Sequence, residues 1–151
     1  MKTLARERDK AELLQRLQQV RPDSPRRWGR MSAPQMVCHL GDAFRVALGQ
    51  QVVTGPSGLL QRTMIKWIAL YAPVRWPPDI PTSPEIDQLL ICRVPGDFAA
   101  DVAAVAALLE RMVEPRPATW PPHPVFGSMG EAAWLRWGYL HTDHHLRQFG
   151  V

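Results

Sequence analysis

SAPQMVCHLGDAFRVALG, residues 32–49, predicts a helix with both of its ends marked. Ser32 is a candidate N-cap, Pro34 suits the first turn, and Gln35 completes a capping box with Ser32. Gly49 is a natural residue for the C-terminal end. His39 lies in the middle of this segment, near the edge of its apolar face. The sequence therefore places a histidine on a helix that packs against the core.

Two helices are predicted around this segment in the amino-terminal half. Residues 5–20 carry an apolar stripe with charged residues elsewhere, which predicts a first helix. Residues 59–72 are a weaker candidate because they contain a tryptophan and β-branched residues. Residues 73–96 contain six prolines, which predicts an irregular crossover with a short extended piece at LLICRV, residues 89–94.

Two more helices are predicted in the carboxyl-terminal half. Asp97 is a candidate N-cap for an alanine-rich helix that runs to about Val113. Ser128 and Glu131 have the spacing of a second capping box, and the last helix then runs to Gly150.

Helices dominate, and no β alternation is present. The sequence therefore predicts one all-α domain over residues 1–151, a four-helix bundle in which residues 50–96 form a long crossover. A bundle with one long connection can place the second and the last helix side by side.

Composition limits the classes of function. Apolar residues make up 46% and charged residues 21% of the 151 residues, so a folded core is expected. The net charge is +4, but the arginines are spread over the amino-terminal third rather than concentrated along one helix, which argues against nucleic-acid binding. No secretory signal or bilayer-spanning segment is apparent, and Cys38 and Cys92 imply no disulfide framework. We expect a cytoplasmic protein without a membrane or nucleic-acid partner.

Three of the five histidines lie in WGYLHTDHHLRQFG, residues 137–150. At about 100° per residue, His141 and His145 fall within about 40° of each other, on the side that also carries Trp134 and Trp137. Two histidines at this spacing can bind one metal ion from a rigid helix. The alternative is an amphipathic terminal helix with polar histidines on its rim.

His39 strengthens the metal interpretation if its helix packs beside the last one. Three neutral imidazoles would hold Zn²⁺ or Ni²⁺ at about 2.0–2.1 Å and leave positions open for water or substrate. Asp42, one turn after His39, either orients that imidazole or is solvated. His144 lies about 100° around the axis from His145, which places it beside the site or at its rim.

Four stretches carry a resemblance to a known family: RRWGRMSAPQMVCHLGDAFRVALG, PTSPEIDQ, HPVFGSMGEAAW and HTDHHLRQFG. Together they resemble the DinB-like (YfiT-like) superfamily of four-helix metal-binding proteins, most closely a branch with no established activity. The resemblance covers most of the chain from residue 21 onward, and the first helix matches only in character.

The resemblance implies an up-down-down-up bundle, frequent dimerisation, and a divalent metal bound by His39, His141 and His145. Members with known chemistry are thiol-dependent transferases or isomerases, in which the metal activates a low-molecular-weight thiol. The usual ending after the last ligand is His-Arg-Gly-Gln. Here residues 145–148 read His-Leu-Arg-Gln, so the glutamine is kept and the arginine is displaced to Arg147, whose role is left open.

Three further residues belong to the branch signature. His123 either caps the turn before the last helix or acts as an acid or base at the rim of a pocket. Glu85 and Asp87 also belong to the branch signature. Acidic side chains in a crossover near arginines, however, are usually solvated partners in salt bridges.

Two functions follow from these patterns. The first is a divalent-metal-dependent enzyme of the hydrolase or transferase type, acting on a small molecule, with His144 or His123 moving a proton. The second is a non-catalytic metal-binding or interaction module, such as a homodimer formed through exposed tryptophans. The candidates for that surface are Trp28, Trp67, Trp76 and Trp120, although most of these are expected to lie in the core.

Overall fold

Five α-helices form the part of the chain that this computed structural model describes, which is residues 1–55, 58–80, 84–89, 96–114 and 117–151. No β-strand occurs in those residues, and the only ladder contact among them is an isolated bridge between His123 and Gly127. The predicted all-α class is therefore confirmed. The helices are α1 (Glu7–Leu17), α2 (Ala33–Ala47), α3 (Lys66–Tyr71), α4 (Phe98–Arg111) and α5 (Glu131–Gln148).

The predicted starts of α2 and α4 are confirmed. The Ser32 hydroxyl accepts a hydrogen bond from the Gln35 backbone N–H, and the Ser32 N–H donates to the Gln35 side chain at 2.9 Å, so the capping box is complete. Asp97 accepts hydrogen bonds from the N–H groups of Ala99 and Ala100 at the start of α4.

The predicted start of α5 was wrong. The helix begins at Glu131, and its N-cap is Gly130, which has no side chain that could accept a capping hydrogen bond. Glu131 is therefore the first helical residue rather than the third, so it cannot close a box with Ser128. The Ser128 carbonyl instead accepts a hydrogen bond from the Lys66 ammonium group at 3.1 Å.

The region between α2 and α4 holds more helix than a simple crossover. Residues 59–71 are helical as predicted, with a π-helical turn at Gln61–Ile65 before α3, and a 3₁₀ turn follows at Pro84–Ile86. The extended piece predicted at residues 89–94 lies almost wholly outside the described residues, as does Cys92.

The core brings α2 and α5 together. Helix α2 contacts α4 and α5, and α5 also contacts α1 and α3, so the predicted adjacency of the second and last helices is confirmed. Fully buried side chains from three of these helices fill the interface, among them Leu13, Leu17, Met36, Leu40, Phe44 and Trp134. None of the helices in the described residues is long and apolar enough to cross a bilayer.

The two serines provide a matched pair for testing the caps. We expect Ser32→Ala to lower the free energy of unfolding by about 1 kcal/mol, because an N-cap hydrogen bond is lost. Ser128→Ala removes an exposed hydroxyl that caps nothing, so its effect should stay within about 0.5 kcal/mol. Urea denaturation followed by circular dichroism measures both, and equal losses would contradict this assignment of the caps.

Candidate metal centre

Three histidines converge where α2 meets α5. His39 lies on α2, and His141 and His145 lie one turn apart on α5. One ring nitrogen of each falls within 4.8 Å of the other two, and the Nε2 atoms of His39 and His141 are 3.3 Å apart. The structure therefore brings together the three residues that the sequence predicts as ligands, and three nitrogens this close can bind one ion.

A backbone carbonyl fixes the orientation of His39. Its Nδ1–H donates to the carbonyl oxygen of Ile86 at 3.1 Å, which leaves the Nε2 lone pair directed at the cluster. Asp42 takes neither of the roles expected of it. It is buried and accepts hydrogen bonds from Gln88 at 2.7 Å and from Arg45 at 2.9 Å.

A side-chain amide fixes the orientation of His145. Its Nδ1–H donates to Gln148 Oε1 at 3.0 Å, and Gln148 Nε2 donates to the Trp28 carbonyl at 3.0 Å. The second bond sets which end of the amide faces the imidazole, so His145 keeps its Nε2 lone pair free. Hydrogen bonds of this kind behind a ligand usually hold both its tautomer and its ring plane.

Gly29 makes room for this contact. Its φ is +74°, in the left-handed region that favours glycine, and a Cβ atom at this position would lie 2.5 Å from Gln148 Nε2. The chain next to Trp28 can approach the end of α5 closely only because this residue has no side chain.

His141 is held by stacking. Its ring lies parallel to that of Trp137, with centroids 4.7 Å apart and an interplanar angle of 17°. Its Nδ1 is buried and has no hydrogen-bond partner among the described residues.

Neither Ile86 nor Trp28 could be identified as a backbone acceptor from sequence, whereas the spacing of Gln148 three residues after His145 was a usable signal.

Burial keeps the cluster uncharged. Desolvation lowers the pKa of His39, and it lowers the pKa values of His141 and His145 further, with the neighbouring histidines adding to the effect. The neutral imidazole is the form that binds a metal ion. The site therefore requires no proton to be removed at neutral pH before an ion can bind.

A cavity of about 470 Å³ opens beside the cluster. All three histidines line it, together with apolar side chains from α2, from the segment 65–80 and from α5. His144 and His123, the two predicted proton carriers, line it as well. The volume lies within the range of small-molecule sites.

His144 lies beside the cluster, as predicted, and is not part of it. Its ring packs 5.8 Å from the Trp28 ring, 6.1 Å from the Trp76 ring and 5.2 Å from the His145 ring, measured between centroids. Its Nδ1 is buried without a partner in the described residues. Burial, followed by the nearby Arg147, lowers its pKa.

His123 caps the turn before α5. Its Nδ1 accepts hydrogen bonds from the N–H groups of Val125 and Phe126 at 3.1 and 3.2 Å, and its backbone pairs with Gly127. Burial lowers its pKa to about 3. These contacts favour the turn-capping interpretation over a role in proton transfer at neutral pH.

The remaining signature residues lie outside the cluster. Glu85 accepts hydrogen bonds from the backbone and hydroxyl of Thr54, and Asp87 accepts from the Leu89 N–H at 2.9 Å. Arg147 pairs with Asp143 at 2.9 Å, and Asp143 also pairs with Arg16 on α1 at 2.8 Å. The displaced arginine therefore takes part in fastening α1 to α5.

His123 offers a test of this geometry by pH. Its pKa is about 3 in the folded chain and about 6.5 when unfolded, so the unfolded state takes up the proton first. The stability that neutral His123 contributes is complete above pH 6.5 and is lost as the pH falls toward 3. His123→Asn keeps an acceptor near the Nδ1 position but does not titrate.

We expect the difference in unfolding free energy between wild type and His123→Asn to shrink by about 2 kcal/mol from pH 7 to pH 5. The other four histidines are common to both proteins and cancel in this difference. His123→Ala should be less stable than His123→Asn at pH 7, because it loses the acceptor of two backbone hydrogen bonds. A pH-independent difference would contradict the lowered pKa.

No curated protein and no solved structure matches this chain. One family model, described as "Protein of unknown function (DUF1569)", matches residues 5–150. That match does not test the resemblance to the DinB-like superfamily, which stays a prediction. The chain belongs to the DUF1569 family.

Proposed function

We propose that this protein is a divalent-metal-dependent enzyme of the hydrolase or transferase type that acts on a small molecule. The metal, zinc or nickel, is bound by His39, His141 and His145. The observation that carries the proposal is the convergence of three ring nitrogens within 4.8 Å of one another at the wall of a cavity.

The donor set fits such an ion. The imidazoles are held neutral by burial, and hydrogen bonds at Nδ1 leave Nε2 of His39 and His145 free. Three imidazole ligands leave at least one coordination position, and the cavity gives a small molecule access to it. A bound ion would supply Lewis-acid polarisation of a substrate donor group.

The chain's own residues would orient the ligands and exclude water. Ile86 and Gln148 hold two of the imidazoles, and the Trp137 ring covers one face of the third. His144 is the better of the two predicted proton carriers, because it lines the cavity and its Nδ1 has no partner among the described residues. His123 uses its Nδ1 within the turn.

Several finer features belong to the same proposal. The contacts of α2 with α4 and α5, and of α1 with α5, support a four-helix bundle, and the up-down-down-up order follows from the DinB-like resemblance. That resemblance also supports a low-molecular-weight thiol as a further cofactor. We place the enzyme in the cytoplasm.

One observation favours the second candidate function, a homodimeric interaction module. The outer side of residues 59–71 exposes large apolar side chains, with Leu59 at 81%, Met64 at 60% and Trp67 at 61% exposure. Trp67 therefore fits the predicted surface, whereas Trp28, Trp76 and Trp120 are half-buried. A homodimer through this surface needs no chemistry at the cluster.

Removing single ligands tests the metal site. We expect His141→Ala and His145→Ala to lose stoichiometric zinc, because two imidazoles bind zinc much more weakly than three. His144→Ala is the matched control, since His144 is as buried as His145 on the same helix but lies outside the cluster, and it should keep one zinc per chain. Elemental analysis of protein purified without a histidine tag measures this, and full occupancy in both ligand variants would falsify the assignment.

Cobalt substitution tests whether the site is open. With cobalt bound, low-molecular-weight thiols or small anions should shift the visible spectrum of the wild-type protein, because an exchangeable position accepts them. A spectrum that ignores all of these additives would mean a closed coordination sphere. The homodimeric module would then be the better account.

A further inference from the structure

We infer that the cavity binds an organic anion with a hydrophobic body, whose one charged donor group lies at the histidine cluster. The inference rests on the proposed metal function and names the class of ligand for that site. It comes from the charge of the cavity, the chemistry of its walls and its size.

With a divalent ion bound, the cavity would hold positive charge that no described lining residue balances. Three neutral imidazoles would leave such an ion with its two positive charges, and the described lining residues include no aspartate or glutamate. Asp42, the buried carboxylate on the same helix as His39, is already paired with Arg45 at 2.9 Å. Because uncompensated charge is costly in an apolar environment, a ligand that brings a negative charge would be favoured over a neutral or cationic one.

A single cationic side chain among the described lining residues adds to this charge. Arg75 lines the cavity and is also exposed, so it lies where the cavity meets solvent. A cation at that place raises the local concentration of anions and increases their rate of entry.

The walls favour a hydrophobic body. Val46, Ile65, Ile68 and Ile86 contribute aliphatic surface. Burying a hydrocarbon body against such walls is favourable because it removes apolar surface from water.

Two of the three indole donors in the walls, those of Trp76 and Trp134, are already used. Trp76 Nε1 donates to the Ala69 carbonyl at 2.7 Å, and Trp134 Nε1 donates to the Pro121 carbonyl at 3.2 Å. A sugar or a peptide-like molecule would therefore find few partners for its polar groups, and each unpaired group would cost free energy. The cavity thus disfavours highly polar ligands.

The volume of the cavity indicates how large the hydrophobic part of the ligand is. A cavity of about 470 Å³ is far larger than acetate requires and lies within the range of sites for drug-sized molecules. A medium-chain carboxylate such as octanoate combines the required charge and body, and octanethiol provides the same body with a thiolate as the donor group.

The test uses zinc-loaded, full-length protein and follows tryptophan fluorescence, because Trp76, Trp134 and Trp137 line the cavity. Octanoate is compared with octanol and octylamine, which keep the body and change the charge, and with acetate, which keeps the charge and removes the body. We expect octanoate to bind at least tenfold more tightly than each of the three. Chelation of zinc should remove most of its advantage over octanol and leave only the smaller share that Arg75 contributes.

Two arginine variants sharpen the test. Arg75→Gln should weaken octanoate binding several-fold and leave octanol unchanged. Arg8→Gln, which changes an exposed arginine outside the cavity, should alter neither.

The outcomes separate the two proposals. If zinc-loaded protein binds octanol as tightly as octanoate, or acetate as tightly as octanoate, the inferred ligand class is wrong and the metal centre stands. If the protein binds no zinc at all, the proposed function fails and this inference fails with it. A tighter fit of octanethiol than of octanoate would support the class and identify sulfur as the preferred donor atom.

Discussion

The central constraint on this molecule is that three clustered imidazoles must stay neutral and direct lone pairs at one point. Each imidazole has two nitrogens, so the one facing away has to be satisfied or shielded by another part of the chain. His39 uses the Ile86 carbonyl, and His145 uses Gln148, which is itself held by the Trp28 carbonyl. The cluster therefore connects α2, α5, the 3₁₀ turn at Pro84–Ile86 and the loop before α2.

Helix α5 serves two purposes on different sides. Its inner side carries His141 and His145, and Asp143 between them pairs with Arg16 and Arg147. These ion pairs join α1 to α5 away from the cavity. The displaced arginine of the terminal motif is explained by this arrangement, because Arg147 at i+4 from Asp143 is placed to pair with it.

Local signals in the sequence were sufficient to predict the N-caps of α2 and α4 and the histidine pair on α5. Ser32 with Gln35, and Asp97, act through side chains within three residues of the helix start, and such short-range chemistry can be read directly. The same spacing misled at Ser128, because the backbone at Gly130 decides where α5 begins. The partner of His39 was not predictable, since Ile86 contributes only its carbonyl and no side-chain pattern marks a carbonyl. Proximity along the helix left two roles open for Asp42, and neither is observed, because Arg45 and Gln88 bind its carboxylate.

The glycine beside Trp28 has a consequence for how the chain tolerates substitution. The bond from Gln148 ends on a main-chain oxygen, so it would survive a change of the Trp28 side chain. Any Cβ at Gly29 would collide with the Gln148 amide and displace the group that orients His145. Gly29 has no functional group and does not contact His145, which lies more than a hundred residues later in the chain. The orientation of that imidazole nevertheless requires that position 29 has no side chain.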